Sequence, residues 1–137
     1  MHLSCEDKKS IVSMLQKCIS SLDAVYLFGS YVSGDAAKNS DVDIGYLSKG
    51  ELSQVPRWEI SQKLASMLNK DVDLVDMKTT NTIFRYQILA TGERIYGGGY
   101  EVEAFENLAY SFYLRFQEER KPIVDAIMQD KKVLHGT

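Results

Sequence analysis

Two short motifs in this sequence combine a flexible backbone with a pair of carboxylates. Gly29-Ser30 follows the apolar run 24–28, and ten residues separate Ser30 from the acidic pair Asp41 and Asp43. Residues two apart on a strand share a face, so the two carboxylates repel each other unless a cation lies between them. Glycine lets the backbone approach a phosphate closely, and hard cations prefer carboxylate oxygens. The combination predicts a site for a metal-bound nucleoside triphosphate.

Each motif also has an ordinary structural interpretation. Gly-Ser after a strand is a common turn, and Asp-x-Asp can place solvated charge at the edge of a strand. Their conjunction favours chemistry, because both patterns at one fixed spacing should arise by chance in well under ~1% of chains of this length. The motif is therefore a hypothesis that the structural context has to support.

A third carboxylate is expected on the strand that follows the second long helix. Phosphoryl transfer with two metal ions uses acidic ligands from neighbouring strands. Asp73 lies within this strand, whereas Asp71 at its start has the alternative of being solvated and Asp76 falls on the opposite face. Asp73 therefore completes the predicted catalytic and metal-binding set with Asp41 and Asp43.

Further residues are candidates for holding the nucleotide or for ordering the site. The Ser30 hydroxyl and the amides at the following helix start could bind phosphate oxygens. Ser40 could orient Asp41, although both Ser40 and Gly34 could equally be structural. Arg85, on a helix predicted to face the sheet, could reach phosphate or could be an ordinary solvated surface residue.

The composition is that of one globular domain. Its 137 residues are 45% hydrophobic and 26% charged, which excludes a disordered chain. The net charge is −3 with no basic face, so direct nucleic-acid binding is not expected. No apolar run reaches membrane length, and Cys5 and Cys18 have no metal-type spacing, so we predict a cytoplasmic protein with reduced thiols. His2 and His135 receive no catalytic role.

Hydrophobic periodicity predicts strands and helices in alternation, which is typical of an α/β sandwich around a small sheet. The second long helix is indicated by repeated apolar residues, at Val55, Trp58, Ile60, Leu64, Met67 and Leu68. The predicted strands lie at 24–28, 42–47 and 71–76 with a short extended piece at 94–96, and the predicted helices lie at 6–21, 30–37, 53–69, 79–90 and 101–129, the last bent or restarted at Pro122.

The segment after the flexible joint predicted at 97–99 concentrates aromatic residues. One apolar stripe at helical spacing is expected to pack on the domain, whereas Tyr110 and Tyr113 fall off it and could form a second face for a partner. The stripe consists of Val102, Phe105, Ala109, Phe112 and Phe116.

The string from Phe28 to Asp43 resembles the nucleotidyltransferase superfamily related to DNA polymerase β, and in particular its smallest branch, the minimal nucleotidyltransferases. The resemblance covers roughly residues 22–96, where 72–76 is similar to the branch's third-carboxylate strand and 88–96 to its closing helix, glycine and strand. It implies a small mixed sheet with flanking helices in a palm-like fold. The glycine of Gly45-Tyr46 departs from the usual aliphatic run.

The domain limits follow from the same resemblance. It implies a minimal nucleotidyltransferase domain at 1–97, followed by a long C-terminal helical extension at 98–137 that packs on the domain or on a partner.

Members of this branch are often encoded beside HEPN-domain ribonucleases, in toxin–antitoxin systems where the nucleotidyltransferase is the antitoxin. The resemblance implies transfer of AMP from ATP to a tyrosine of a HEPN toxin within a hetero-oligomer. Two Mg²⁺ ions would be held by the three aspartates, with the nucleotide at Gly29, Ser30, Ser40 and Arg85. Two alternatives stay open: an antitoxin that acts by sequestration without catalysis, and an enzyme that modifies a small molecule such as an aminoglycoside.

Overall fold

The computed structural model describes residues 2–37, 39–50, 52, 54–115 and 117. In this part of the chain a four-stranded sheet has the order β3-β2-β1-β4. β1 runs antiparallel to β2 and β4, whereas β2 runs parallel to β3, so the predicted small mixed sheet is confirmed. The strands are β1 (Leu22–Phe28), β2 (Val42–Ser48), β3 (Val72–Asp76) and β4 (Glu93–Gly97).

The helices are α1 (Cys5–Cys18), α2 (Ser30–Ser33), α3 (Gln54–Leu68), α4 (Thr82–Thr91) and a C-terminal helix, α5, over 100–115. Side-chain caps begin two of them: Ser4 accepts from the Asp7 amide at α1, and Asn81 accepts from the Phe84 amide at α4. None of the helices within the described ranges is both long and apolar enough to span a membrane.

Alternate residues of the strands divide the core into two clusters. Val25, Leu27 and Ile44 face α1 and α3, and we call this side the α1/α3 face. Tyr26 and Phe28 face the helices α4 and α5, and this side is the α4/α5 face. Because side chains alternate along a strand, the acidic positions between the buried residues of β2 and β3 open on the α4/α5 face.

A hydrogen-bonded clamp attaches α5 to the sheet. The Tyr26 hydroxyl donates to Glu106 Oε1 at 2.7 Å, and Arg94 Nη1 donates to the same oxygen at 2.9 Å. Burial, and then the hydrogen bond to Glu106, raises the pKa of Tyr26. Val102 and Ala109 are buried beside this clamp, so α5 packs on the sheet in the described region.

The α4–α5 contact corrects two predictions about the aromatic residues. Phe112, assigned to the buried stripe, is 39% exposed. Tyr113, assigned to a free face, stacks on Tyr86 of α4 with ring centres 3.8 Å apart and planes within 2°. Phe116, the bend at Pro122 and His135 lie outside the described residues.

Some predicted element boundaries shift for local reasons. α2 ends at Ser33 because Gly34 adopts a left-handed φ of 88°, and its amide bonds to the Ser30 carbonyl. α4 begins at Thr82 because Asn81 caps it, while Thr79 and Thr80 form a turn on the Asp76 carbonyl. β1 begins at Leu22, two residues before the predicted start.

The predicted glycine joint also begins later than expected. Gly97 pairs with Ala24 as the last residue of β4. Its φ is 93°, and a Cβ at this position would collide with the Asp23 carbonyl. Gly97 is therefore the last residue of the sheet, and its assignment to a flexible joint was wrong.

Not all of the apolar residues that indicate α3 face the core. Ile60 and Leu64 are buried, but Val55 and Trp58 are 65% and 63% exposed. A helix advances about 100° per residue, which puts Val55 and Trp58 roughly 120–180° away from Leu64. Both side chains therefore lie outside the buried stripe.

Candidate active site

Gly29 connects the end of β1 to α2 beside an acidic side chain. Its φ of 79° falls in the region that glycine adopts readily. The preceding residue, Phe28, pairs with Asp43 across β1 and β2. A Cβ at Gly29 would collide with the Asp43 carboxylate. Any residue other than glycine would thus alter both the turn and the position of Asp43.

The strand register brings the predicted carboxylates to neighbouring positions. β2 and β3 pair in parallel with Asp43 opposite Asp73, and Asp41 lies two residues before Asp43. Asp43 is half-buried, whereas Asp41 and Asp73 are exposed. Burial first, and then the negative charges of Asp73 and Asp41, raises the pKa of the Asp43 carboxyl to about 6. Asp43 therefore lies within electrostatic reach of both other acids.

The carboxylates fit a metal ion that is shared with a ligand. No group of three or more His, Cys, Asp or Glu side chains in the described ranges is positioned to hold an ion by itself. Mg²⁺, however, is usually bound by one or two carboxylates together with waters and substrate phosphates. An all-oxygen donor set centred on Asp43, with Gly29 leaving space beside it, suits an ion held jointly with a nucleotide.

Comparison with known proteins agrees with this geometry. Residues 9–99 match the family described as polymerase beta, nucleotidyltransferase. The chain belongs to this nucleotidyltransferase family.

Similarity to individual proteins extends over nearly the whole chain. The protein adenylyltransferase MntA of Shewanella oneidensis is 38% identical over 122 residues, which cover 89% of this chain and 88% of MntA. A crystal structure of a toxin–antitoxin with AMP-PNP contains a chain 39% identical, with a TM-score of 0.81 over 88% of this chain and 98% of that one.

A second structure, of a tri-AMPylated Shewanella oneidensis HEPN toxin in complex with MNT antitoxin, contains a chain 36% identical. Its TM-score is 0.77 over 90% of this chain and 97% of that one. The predicted resemblance to minimal nucleotidyltransferase antitoxins is confirmed by these matches.

The serines of this nucleotidyltransferase organise the two loops that flank Asp43. The Ser30 carbonyl accepts from the amides of Gly34 and Ala36, which fixes the turn after β1. Ser40 Oγ accepts from the Ala37 amide at 2.8 Å, and the Ser40 amide donates to the Ala37 carbonyl. Ser40 thus stabilises the turn that leads into β2. The hydroxyl of Ser30 makes no described hydrogen bond and is half-buried.

Arg85 is held in the loop after β3. Its Nε donates to the Met77 carbonyl at 2.7 Å, and its Nη2 donates to the carbonyls of Lys78 and Thr80. Its guanidinium also lies over the Phe105 ring, 5.6 Å from the ring centre. These contacts give Arg85 a structural role, and they lend no support to its prediction as a nucleotide-binding residue.

Sequence reasoning missed a groove on the β3 side of the carboxylates. This α3–β3 groove has a volume of about 570 Å³ and includes Asp73 in its lining. The signal that could have revealed it was the helical phase of α3, which leaves two large apolar side chains outside the buried stripe. Its principal lining residues are Val55, Arg57, Trp58, Val72, Asp73 and Leu74.

Proposed function

We propose that this chain is a Mg²⁺-dependent protein adenylyltransferase and antitoxin, which transfers AMP from ATP to a tyrosine of a HEPN ribonuclease toxin and thereby neutralises it. The observation that carries the proposal is the register that sets Asp43 opposite Asp73 and beside Gly29. The relatives support the substrates, because one is named a protein adenylyltransferase and another lies in complex with an AMPylated HEPN toxin.

Each residue of the site has a role that follows from its position. Asp41 and Asp43 would hold two Mg²⁺ ions, with Asp73 completing the set. When bound, such ions neutralise the charge that develops on the transferred phosphoryl group. Gly29 lets the backbone approach the triphosphate, and the hydroxyl of Ser30 is free to donate to a phosphate oxygen.

The chemical step is an in-line displacement at the α-phosphorus of ATP. The tyrosine oxygen forms a bond to the α-phosphorus, the bond to the bridging oxygen of the β-phosphate breaks, and pyrophosphate leaves. The tyrosine hydroxyl gives up its proton, for which Asp73 is the acceptor on this chain. Positioning of the two substrates and neutralisation of charge supply most of the rate enhancement.

The proposed setting is a hetero-oligomer with the toxin in the cytoplasm. ATP and Mg²⁺ are abundant there, and thiols such as Cys5 and Cys18, which are both unpaired in the structure, stay reduced.

The test measures label transfer to unmodified HEPN toxin from the same source as this chain. With Mg²⁺ and ATP labelled at the α-phosphate, the wild-type chain is expected to label the toxin, whereas ATP labelled at the γ-phosphate gives no label. Asp43→Asn keeps the side-chain shape and is expected to reduce labelling at least ~100-fold, the scale on which a lost charge-stabilising group acts. Asp71→Asn, on an exposed acid at the start of β3, is the matched control and should label at the wild-type rate.

Two results would contradict the proposal. Full-rate labelling by Asp43→Asn would remove the metal assignment. Neutralisation of the toxin by the wild-type chain without any labelled toxin would show that binding alone is sufficient, and label found only in small molecules would point to a different acceptor.

A further inference from the structure

The α3–β3 groove combines an apolar surface with one of the catalytic carboxylates. Trp58 and Val55, one helical turn apart on α3, expose 63% and 65% of their surfaces to solvent. Exposed apolar side chains of this size, clustered at a concave surface, are typical of binding sites. Asp73 also contributes to the lining of the groove. The groove is therefore continuous with the predicted site of proton transfer.

The order of the strands separates the two substrates. Gly29 and Ser30 follow β1, Asp43 lies on β2, and Asp73 lies on β3 at the edge of the sheet. A nucleotide whose triphosphate is held at Gly29 and Ser30 therefore occupies the β1 side of Asp43. In-line displacement needs the attacking and leaving oxygens on opposite sides of the phosphorus. The acceptor hydroxyl must then approach from the β3 side.

The groove is the concave surface that an acceptor meets on that side. α3 packs on the α1/α3 face, whereas the carboxylates lie on the α4/α5 face, and β3 is the edge strand between them. A polypeptide that follows the free edge of β3 would contact Trp58 on one face and reach Asp73 on the other. A groove of about 570 Å³ is within the range of sites that enclose a few side chains.

We propose that the α3–β3 groove binds the segment of the partner protein that carries the acceptor tyrosine, with an apolar or aromatic side chain next to that tyrosine packing on Trp58 and Val55. This inference rests on the proposed function, and it assigns Trp58 as a residue that binds the acceptor. The indole supplies a large rigid contact area at a low cost in side-chain entropy, as is common at protein interfaces.

The test separates acceptor binding from nucleotide binding and from chemistry. Transfer to unmodified HEPN toxin is measured as kcat and KM for the toxin, and the affinity for AMP-PNP with Mg²⁺ is measured by calorimetry. Trp58→Ala is expected to raise the KM for the toxin about 10-fold or more, since buried aromatic anchors dominate such interfaces. Both kcat and the nucleotide affinity should stay within about 2-fold of wild type, because Trp58 contacts neither reacting group.

Control variants distinguish a binding surface from a fold defect. Trp58→Phe should recover most of the lost affinity, and Val55→Asp should weaken toxin binding by placing a charge in the apolar surface. Met67→Ala, which removes another exposed apolar side chain of α3 outside the groove, should behave as wild type. A wild-type KM for Trp58→Ala, or an equal loss for Met67→Ala, would overturn the assignment of the groove.

Fluorescence provides a second measurement that does not depend on transfer. Trp58 is the single tryptophan of the chain, so a tryptophan-free peptide copied from the toxin segment around its modified tyrosine should shift its emission. An unchanged emission at saturating toxin-peptide concentration would contradict the proposal. If the wild-type chain binds the toxin but transfers no AMP, the proposed function fails, and the affinities of wild type and Trp58→Ala still decide whether the groove is the docking site.

Discussion

Glu106 of α5 and Asp43 of β2 are both on the α4/α5 side of the sheet, but their surroundings are opposite. Glu106 accepts hydrogen bonds from Tyr26 and Arg94 and so attaches α5 to the sheet. Asp43 has no hydrogen-bond donor or cation as a partner among the described residues, and its electrostatic neighbours are Asp41 and Asp73. A paired carboxylate stabilises the fold, whereas one surrounded by like charges is costly unless a ligand neutralises it. The comparison distinguishes a carboxylate that the fold itself neutralises from one that is left for a ligand to neutralise.

The largest expected effect comes from disturbing the glycine beside Asp43. Gly29→Ala introduces a Cβ that collides with the Asp43 carboxylate, and it forces a positive φ on a residue that disfavours it. We expect the free energy of unfolding to fall by about 2 kcal/mol from backbone strain and displacement, and AMP transfer to fall with it. Chemical denaturation and the labelling assay measure the two effects.

The control for this substitution is Gly50→Ala. Apart from its chain neighbours, a Cβ at Gly50 meets no atom of the described residues within 4 Å, and the backbone of Gly50 is not in the left-handed region. Wild-type stability and transfer are expected for Gly50→Ala. Equal behaviour of the two variants would refute the assignment of Gly29 as the position that sets Asp43.

Removing the charge of Glu106 should lower the free energy of unfolding by an intermediate amount. Glu106→Gln replaces two charge-assisted hydrogen bonds by weaker ones, so we expect the free energy of unfolding to fall by about 1–2 kcal/mol. Glu103→Gln changes an exposed acid on the same helix and should be neutral within about 0.5 kcal/mol. Loss of stability in both variants, measured by urea unfolding, would assign the effect to net charge instead of the clamp.

The smallest expected effect is a gain in stability, which comes from removing the charge of Asp43. The pKa of Asp43 is raised in the folded protein to about 6 from its ordinary value of 3.8, so its charged form disfavours folding. This penalty is fully present above about pH 6, decreases as the pH falls toward 3.8, and is absent below that value. We expect Asp43→Asn to stabilise the metal-free protein by about 1 kcal/mol at pH 7, a value reduced for solvent screening of a half-buried group.

The pH dependence makes this prediction specific. At pH 4 the stabilities of wild type and Asp43→Asn should converge, because the wild-type carboxyl is then mostly protonated. Thermal unfolding in the absence of divalent ions, at pH 7 and at pH 4, measures the difference in stability between the two proteins. A variant that is less stable than wild type at pH 7 would contradict the description of Asp43 as an uncompensated charge.

Much of the fold and the centre of the candidate site could be predicted from the sequence. The apolar runs 24–28 and 42–47 predict two buried strands, and the spacing from Gly29 to Asp43 predicts the turn and the acidic pair. The fourth strand was predicted only as a short extended piece, because 94–96 carries no clear period and is defined by its pairing with β1. Such long-range pairing leaves no local pattern.

The features that the sequence left unexplained depend on contacts between elements. Arg85 stays a prediction as a nucleotide-binding residue, and its described hydrogen bonds go to carbonyls of the loop after β3. Gly45 interrupts an aliphatic run, and the reason lies on another element: a Cβ there would lie 2.8 Å from the sulfur of the buried Met77. Trp58 is large and apolar, and its helical phase relative to Leu64 places it outside the buried stripe, but the groove itself forms only where α3 packs beside β3.

The pairing of β4 with β1 also has a consequence for synthesis of the protein. β1 is a central strand, and one of its two neighbours is β4, which lies near the end of the nucleotidyltransferase domain. Until the ribosome has released β4, the nascent chain exposes an open edge on β1, a strand with mostly buried side chains. Such an edge is prone to pair with other chains. Pairing of β4 with β1 removes this edge, so the last strand of the sheet also protects the chain from association.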